Sequence, residues 1–302
     1  MESKKLSFRI LDIFYIVMMI LPILSGIVLK VMTNTPSDEV SITGARIFFT
    51  VHMPLQDFII SESQINSWLV LITLFFLCLY LTHGLSEKSE LKRQHIAEMI
   101  IEKTDGLIKE NMGDFFKGFS PFIAAVMGLS AFSSLLTLVG LYPPTSDINI
   151  VGGWAILVFI LITYYKMKCG FGHYLKSFAD PALLTPMNVI SEIATPISMA
   201  FRHYGNVLSG SVISVLVAYA LGKASNAIFG RLPGFLGDIP FLRIGLPAVL
   251  SAYFDVFSGL LQAFIFATLT MLYVSGGFPE EDYFEKLRKK ALKKSKKSAK
   301  AE

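Results

Sequence analysis

Arg202 stands inside MNVISEIATPISMAFRHYGNVLSGSVISVLVAYAL, a segment otherwise mostly aliphatic or small. A guanidinium at the centre of an apolar helix costs about 2.5–3.5 kcal/mol on insertion scales, so an ionisable group at that depth is by default functional. Ser191, Thr195, Ser198, Arg202, Asn206 and Ser209 recur at intervals of 4, 3, 4, 4 and 3, which lines all six on one helical face. Such a polar line either hydrates a path or grips a neighbouring helix. Gly205 and Gly210 admit close approach of that neighbour. Pro196 removes one backbone hydrogen bond and is placed to kink the helix near Arg202.

A later segment repeats the pattern, with Ser251, Asp255, Ser258 and Gln262 at intervals of 4, 3 and 4. Asp255 is a second ionisable group among apolar residues. It is either a functional carboxylate or a counter-ion for Arg202. Glu192, near one end of its helix, is an ion-path candidate that equally suits a plain water-facing position. Other chemistry is not indicated. The sequence has no Walker-type loop, HExxH, GxSxG or Rossmann fingerprint. Its five histidines show no ligand spacing, and Cys78 and Cys169 form no CxxC pair. No metal and no cofactor is expected. His203 adjoins Arg202 but points about 100° away on a helix, toward core packing or an interfacial role.

The elements that hold these residues follow from composition. Of 302 residues, 53% are hydrophobic and only 17% charged, against about 25% charged in an average soluble domain. That excludes disorder and a typical soluble enzyme. A helix crossing ~30 Å of hydrocarbon needs about 20 apolar residues. Six segments qualify or nearly so: 11–32, 66–84, 120–141, 150–166, 187–221 and 244–275. The fold class is therefore an all-α polytopic membrane protein, with the last two helices long enough to require tilting or breaking. The first segment is too long for a signal h-region and lacks an A-x-A site, so it is expected to be retained.

With the N-terminus inside, 21 of the 27 Lys and Arg residues fall on inside segments and only Lys30, Arg46, Lys223, Arg231 and Arg243 lie outside. This bias places both termini in the cytoplasm and makes nucleic acid an unneeded explanation for the net charge of +4. Residues 93–114 place Ile96, Met99, Ile100, Leu107 and Ile108 on one helical face with charges opposite, the pattern of a cytoplasmic interfacial helix. The chain divides into an extra N-terminal helix with an external loop (1–65), a membrane domain (66–278) and a Lys-rich tail (279–302). That tail is expected to be a solvated arm, with anionic headgroups as the alternative.

These residues carry a family resemblance. PISMAFRHYGNVLSG (196–210) resembles the arginine motif P-I/V-S-L-x-x-R-L-x-G-N of subunit a of F-type ATP synthases. LLQAFIFATLTMLYV (260–274) is similar to that family's last helix, and GLYPPTSDINI (140–150) to its G-x-x-P-P-T-x-D loop. Order and spacing agree over about 66–278. The resemblance implies an ion-translocating stator subunit in the bacterial plasma membrane, not an enzyme on its own. Its partners would be a ring of c subunits, the b subunits of a peripheral stalk and the lipid bilayer. The translocated ion would be H⁺ or Na⁺.

By the same resemblance Arg202 would separate two aqueous half-channels and face the ring's carboxylates. Asn206 would lie on the ion path, and Gln262 beside the arginine. Ser198, Ser209 and Glu192 would line the path. The sequence also departs from the pattern. Many members have Glu nine residues after the arginine, where this chain has Ser211; some have His seven residues before the glutamine, where it has Asp255. The acid would then have moved from one helix to the other, with Asp255 as relay and Ser211 lining a wet path. Asn188 replaces an often acidic position, and the first span is extra. The alternative is a secondary ion-coupled transporter with a mid-membrane Arg/Asp site, which would typically carry a related second half that is not seen here. A membrane scaffold would leave the polar stripe unexplained.

Overall fold

The computed structural model describes residues 2–33, 44–54, 57–86, 91–178, 182–230, 242, 245, 249–250 and 252–298. Arg231, Arg243 and Ser251, used in the readings above, lie outside the described residues. Six helical stretches are long and apolar enough to cross a membrane: Phe8–Thr33, Glu62–Thr82, Asp114–Val139, Ile148–Cys169, Thr185–Phe229 and Ala252–Gly276. The protein is an all-α polytopic membrane protein.

Helix α1 (Glu2–Thr33) runs antiparallel to α2 (Glu62–Thr82), to which it is joined through a small hairpin of β1 (Ile47–Val51) and β2 (Phe58–Ser61). The hairpin was not expected. Its IFFTV and FIIS runs are rich in the β-branched and aromatic residues that favour strands. Ser61 caps α2 by accepting from the Gln64 amide at 3.4 Å. After α2 comes α3 (Lys92–Met112), which Gly113, at φ +80, terminates.

Helix α4 (Ser120–Leu135) is extended at both ends by 3-10 turns. The PPTS turn leads into α5 (Ile148–Lys166), capped by Asp147, which accepts from the Asn149 amide at 3.0 Å. The short α6 (Phe171–Phe178) precedes α7 (Thr185–Phe229). A π-helical turn, Ala252–Ser258, opens α8 (Gly259–Gly276), and α9 (Glu280–Ser298) ends the described chain.

Helix α7 runs unbroken through Pro196 for 45 residues, or about 67 Å at 1.5 Å per residue. It can lie within ~30 Å of hydrocarbon only when steeply inclined. The last membrane helix is described only from Ala252, so the extra length expected from residue 244 is not established. Helix α3 turns Arg93, Ala97, Thr104, Ile108 and Met112 inward and leaves Ile96, Met99 and Ile100 on its outer surface, where an interfacial helix would present them to lipid. The reason is electrostatic. Arg93 donates to Asp12 of α1 at 2.5 Å and to the His83 carbonyl at 2.8 Å, and this fixes the rotation of α3.

The core lies where α4, α5, α7 and α8 meet. Ile123, Val158, Met199, Phe266 and Met271 are fully or almost fully enclosed there. Small residues allow the helices to close up. A Cβ added at Gly259 would lie 2.5 Å from the Cβ of Ser134, so α8 and α4 touch only because position 259 has none. Overpacking of this kind costs about 1–3 kcal/mol. Gly259→Ala is expected to lower the detergent-solubilised thermal midpoint, and Ser134→Gly in the same chain to restore most of it. Independent, additive effects in a melting assay would disprove the contact.

Candidate functional site

The site is built along α7. Its inward face is Met199, Ala200, His203 and Gly210, all buried. His203 is fully enclosed, 3.3 Å from Ser130 Oγ and edge-on to Trp154 and Phe266. It is a packing residue that fixes the rotation of α7. The polar stripe consequently faces outward. Ser191, Ser198, Arg202 and Ser209 are exposed, and Thr195 and Asn206 are half-buried. Ser209 and Ser211 return their hydroxyls to the α7 backbone, at 3.1 Å to Asn206 O and 2.8 Å to Leu208 O.

Arg202 makes no ion pair or hydrogen bond among the described residues, so Asp255 is not its counter-ion. Among the described residues of the stripe, Asn206 reaches across to the π turn that opens α8, donating from Nδ2 to Ser258 Oγ at 2.8 Å. With Asn206 on Ser258 and His203 against Phe266, the two helices run antiparallel. Gln262, buried at 4% exposure, lies between those contacts at the level of the 203–206 turn, without a direct hydrogen bond to Arg202.

The interval pattern of the last helix did not survive intact. Ala252–Ser258 is π-helical, with i→i+5 bonding that takes one more residue per turn and rotates whatever precedes it. Asp255, Ser258 and Gln262 therefore do not form one straight stripe. Ser258 meets Asn206, Gln262 is buried, and Asp255 lines a cavity with Ser211.

That cavity, about 410 Å³, is lined by Lys30, Arg46, Glu62, Tyr142, Ser211, Ser214 and Asp255 among others. A second, of about 260 Å³, is lined by Lys166, Ser191, Glu192, Thr195, Tyr273 and Gly277 among others. The first gathers the end of α1, the start of α2 and the loop between α4 and α5; the second gathers the ends of α5 and α8. They therefore open toward opposite ends of the bundle. On α7, Thr195 borders one and Ser211 the other, about 10 and 13 Å along the axis from Arg202. Arg202 lines neither.

Each cavity holds a carboxylate and an enclosed polar atom left for a further partner. In the smaller, Glu192 Oε2 accepts from Lys166 Nζ while Oε1 has no partner among the described residues. In the larger, Ser214 Oγ is likewise unpartnered. Tyr142, in the loop at its wall, is held above the ordinary phenol range by burial, aided by the nearby Asp147 carboxylate. It stays a neutral donor, 3.3 Å from Ser146 O. Lys166, Tyr142 and Ser214 were missed from sequence. Ser214 follows Ser211 by three residues and so shares its face, a signal that was there to read.

Residues 64–275 match the model of the family described as ATP synthase A chain. The chain belongs to that family. Among curated relatives, an ATP synthase subunit a of Legionella pneumophila (strain Paris) is 27% identical over 221 residues, 72% of this chain and 86% of its own. Those named ATP synthase subunit a from Desulforamulus reducens and Geotalea daltonii are 30% identical, over 71% of this chain and 78% and 86% of theirs. Helix α1, the β hairpin and α9 lie outside the residues that match this ATP synthase A chain family.

The Asn206–Ser258 bond is the polar link between α7 and the π turn, worth about 1 kcal/mol if it behaves like others of its kind. Asn206→Ala and Ser258→Ala should each destabilise the solubilised protein, and the double variant by clearly less than their sum. Simple additivity in the double-mutant cycle would show that the bond does not form.

Proposed function

We propose that this chain is the ion-translocating stator subunit of a rotary ATP synthase, and that its two cavities are half-channels leading to a ring of c subunits. The observation that carries the reading is the pair of carboxylate-bearing cavities, opening to opposite ends and flanking an exposed Arg202 that has no partner among the described residues. Membership of the ATP synthase A chain family supports it.

A guanidinium stays charged at any working pH. A ring carboxylate that comes opposite Arg202 is favoured in its ionised form and must give up its ion. The fixed positive charge also repels a cation passing directly between the inlets. An ion entering the larger cavity is relayed by Asp255, with Ser211 and Ser214 as hydroxyl lining, to a ring carboxylate. That site, neutralised, rotates through lipid until it meets the smaller cavity, where Glu192, Ser191 and Thr195 receive the ion. The split route lets the membrane potential, ~2.3 kcal/mol per charge per 100 mV, bias rotation. Asn206 and Gln262 support the turn that carries Arg202. Ser198 and Ser209 face the ring from the stripe.

The chain carries no catalytic site for nucleotide chemistry in this reading; it couples H⁺ or Na⁺ flow to synthesis elsewhere in the complex. The b subunits of a peripheral stalk would hold it against the ring. The Lys/Arg bias supports both termini in the cytoplasm, with the larger cavity outside and the smaller inside. The bacterial relatives support a plasma-membrane location. A secondary transporter would work alone, whereas mild-detergent purification is expected to bring down a c ring and stalk with this chain.

Arg202→Ala is expected to reduce ion-driven ATP synthesis by the reconstituted complex to background. Synthesis at the wild-type rate would refute the separator role. Asp255→Asn should slow ion transport on the order of 10²-fold, the scale of a lost proton-transfer group, before it affects assembly. Because Ser211 lines the same cavity, Ser211→Asp in that background should recover part of the rate. Full transport in Asp255→Asn over the whole pH range would rule out the relay.

A further inference from the structure

Helix α9 starts four residues after the last membrane helix ends at Gly276. All its acids lie in its first two turns, at Glu280, Glu281, Asp282 and Glu285, and from 286 to 300 the chain has nine Lys and Arg and no acid. Lys286, Lys289, Lys290, Lys293, Lys296 and Lys297 follow at intervals of 3, 1, 3, 3 and 1. In a helix that register confines all six positions to about 120° of the circumference. Phe284, Leu287, Ala291, Ser295 and Ser298, at 3, 4, 4 and 3, fall on the opposite side. Of the nine cations only Arg288 and Lys294 fall off this sector, a bias that a solvated tail does not need.

The root of α9 is held at the level where other spans end. Phe278 stacks on Phe115 at 4.5 Å, and Phe284 lies 5.9 Å from the same ring. Phe115 is the second residue of the third span. Lys286 Nζ donates to the Cys169 carbonyl at 2.7 Å, and Cys169 is the last residue of the fourth. Ten residues past the end of its own span, the chain therefore still lies against the ends of two others. Lys168 adds a cation–π contact to Tyr283 at 5.8 Å. Through Tyr283, Phe284 and Lys286 the first turn and a half of the helix therefore stays against the end of the bundle.

We infer that α9 is an anionic-lipid-binding arm, which lays its lysine face on the phosphate headgroups of the leaflet surrounding the bundle. Clustered Lys and Arg just beyond a membrane helix gain free energy next to anionic lipid and lose it within a Debye length of about 10 Å at 0.1 M salt. The clamped root keeps the first turns inside that distance. The arm would hold the stator's cytoplasmic edge to the membrane plane against rotor torque, and it lies outside the family-matched residues. The inference rests on the cytoplasmic placement of the C-terminus proposed above.

The test places a nitroxide at the exposed Leu292 through Leu292→Cys in a chain carrying Cys78→Ala and Cys169→Ala. The full chain is studied in nanodiscs of phosphatidylcholine, with or without phosphatidylglycerol. Accessibility of the label to a neutral, water-soluble nickel chelate is expected to fall severalfold in the anionic discs and to recover at ~1 M salt, where the Debye length is about 3 Å. Replacing Lys289, Lys290, Lys293, Lys296 and Lys297 by Gln should abolish the difference. Equal accessibility in both discs overturns the inference in favour of a solvated tail. Protection that needs the rest of the complex and ignores lipid charge overturns it in favour of an acidic protein partner. The sidedness is read separately: an impermeant maleimide should label the introduced thiol in inverted membrane vesicles, and labelling only in right-side-out vesicles would defeat the orientation instead.

Discussion

A charge that cannot be removed, held where water is scarce, is the constraint around which this chain is organised. Arginine does not solve its burial problem by losing a proton, as a lysine does. The usual solution is a partner carboxylate on a neighbouring helix. Here the described residues give Arg202 none, even though Asp255 lies on the adjoining helical segment. The π turn aims Asp255 into the larger cavity with Ser211, and Lys166 occupies Glu192 in the smaller. Asp255, Glu192 and Arg202 are thus kept apart. An arrangement that forgoes the ion pair is intelligible when the missing carboxylate arrives from outside the chain and must leave again. A permanent internal partner would neutralise the field that an arriving site has to feel.

Keeping the charges apart demands a rigid α7. Its rotation is set from the inside, by a face of Met199, Ala200, His203 and Gly210. His203 is wedged between Ser130, Trp154 and Phe266, so turning the helix would push an imidazole out of a closed aromatic pocket. A Cβ at Gly210 would come within 3.1 Å of Phe254, and Gly259 meets Ser134 more closely still. These contacts hold α7 and the π turn near enough for Asn206 to reach Ser258. The histidine beside the arginine therefore acts by packing, and its neighbour's exposure is the consequence.

The spans and the polar stripe of α7 were legible in the sequence, because membrane length and helical period are local properties. Ser211 and Asp255, both singled out by their departure from the family pattern, line one cavity. What was not legible depends on interactions distant in sequence. The inward stripe of α3 is chosen by Arg93 reaching Asp12, 81 residues away, and an apolar count along α3 has no access to that. The π turn breaks a pattern that assumes 3.6 residues per turn, and nothing in AYFDVFS announces it. The pairing of Lys166 with Glu192 brings together α5 and α7, whose register only packing determines.

The segment that precedes the family-matched residues is bound to them at both ends of the bundle. At one end Asp12 accepts from Arg93, with the His83 ring nitrogen 3.2 Å from the same carboxylate oxygen and Phe8 stacked on that imidazole at 4.4 Å. Gly84, at φ +76, leaves room for the Phe8 ring, which a Cβ there would meet at 2.5 Å. At the other end Lys30 donates to the Gly140 carbonyl and Arg46 to Thr33 O at 2.9 Å. Lys30 and Arg46 then stand in the wall of the cavity that holds Asp255. A helix needed only to fill lipid-facing surface would have no reason to place two cations there. The extension is therefore part of the cavity's architecture: it sets two cations in the wall that Asp255 also lines, and it does so through contacts that also fix how α2, α3 and the 140–147 loop sit together.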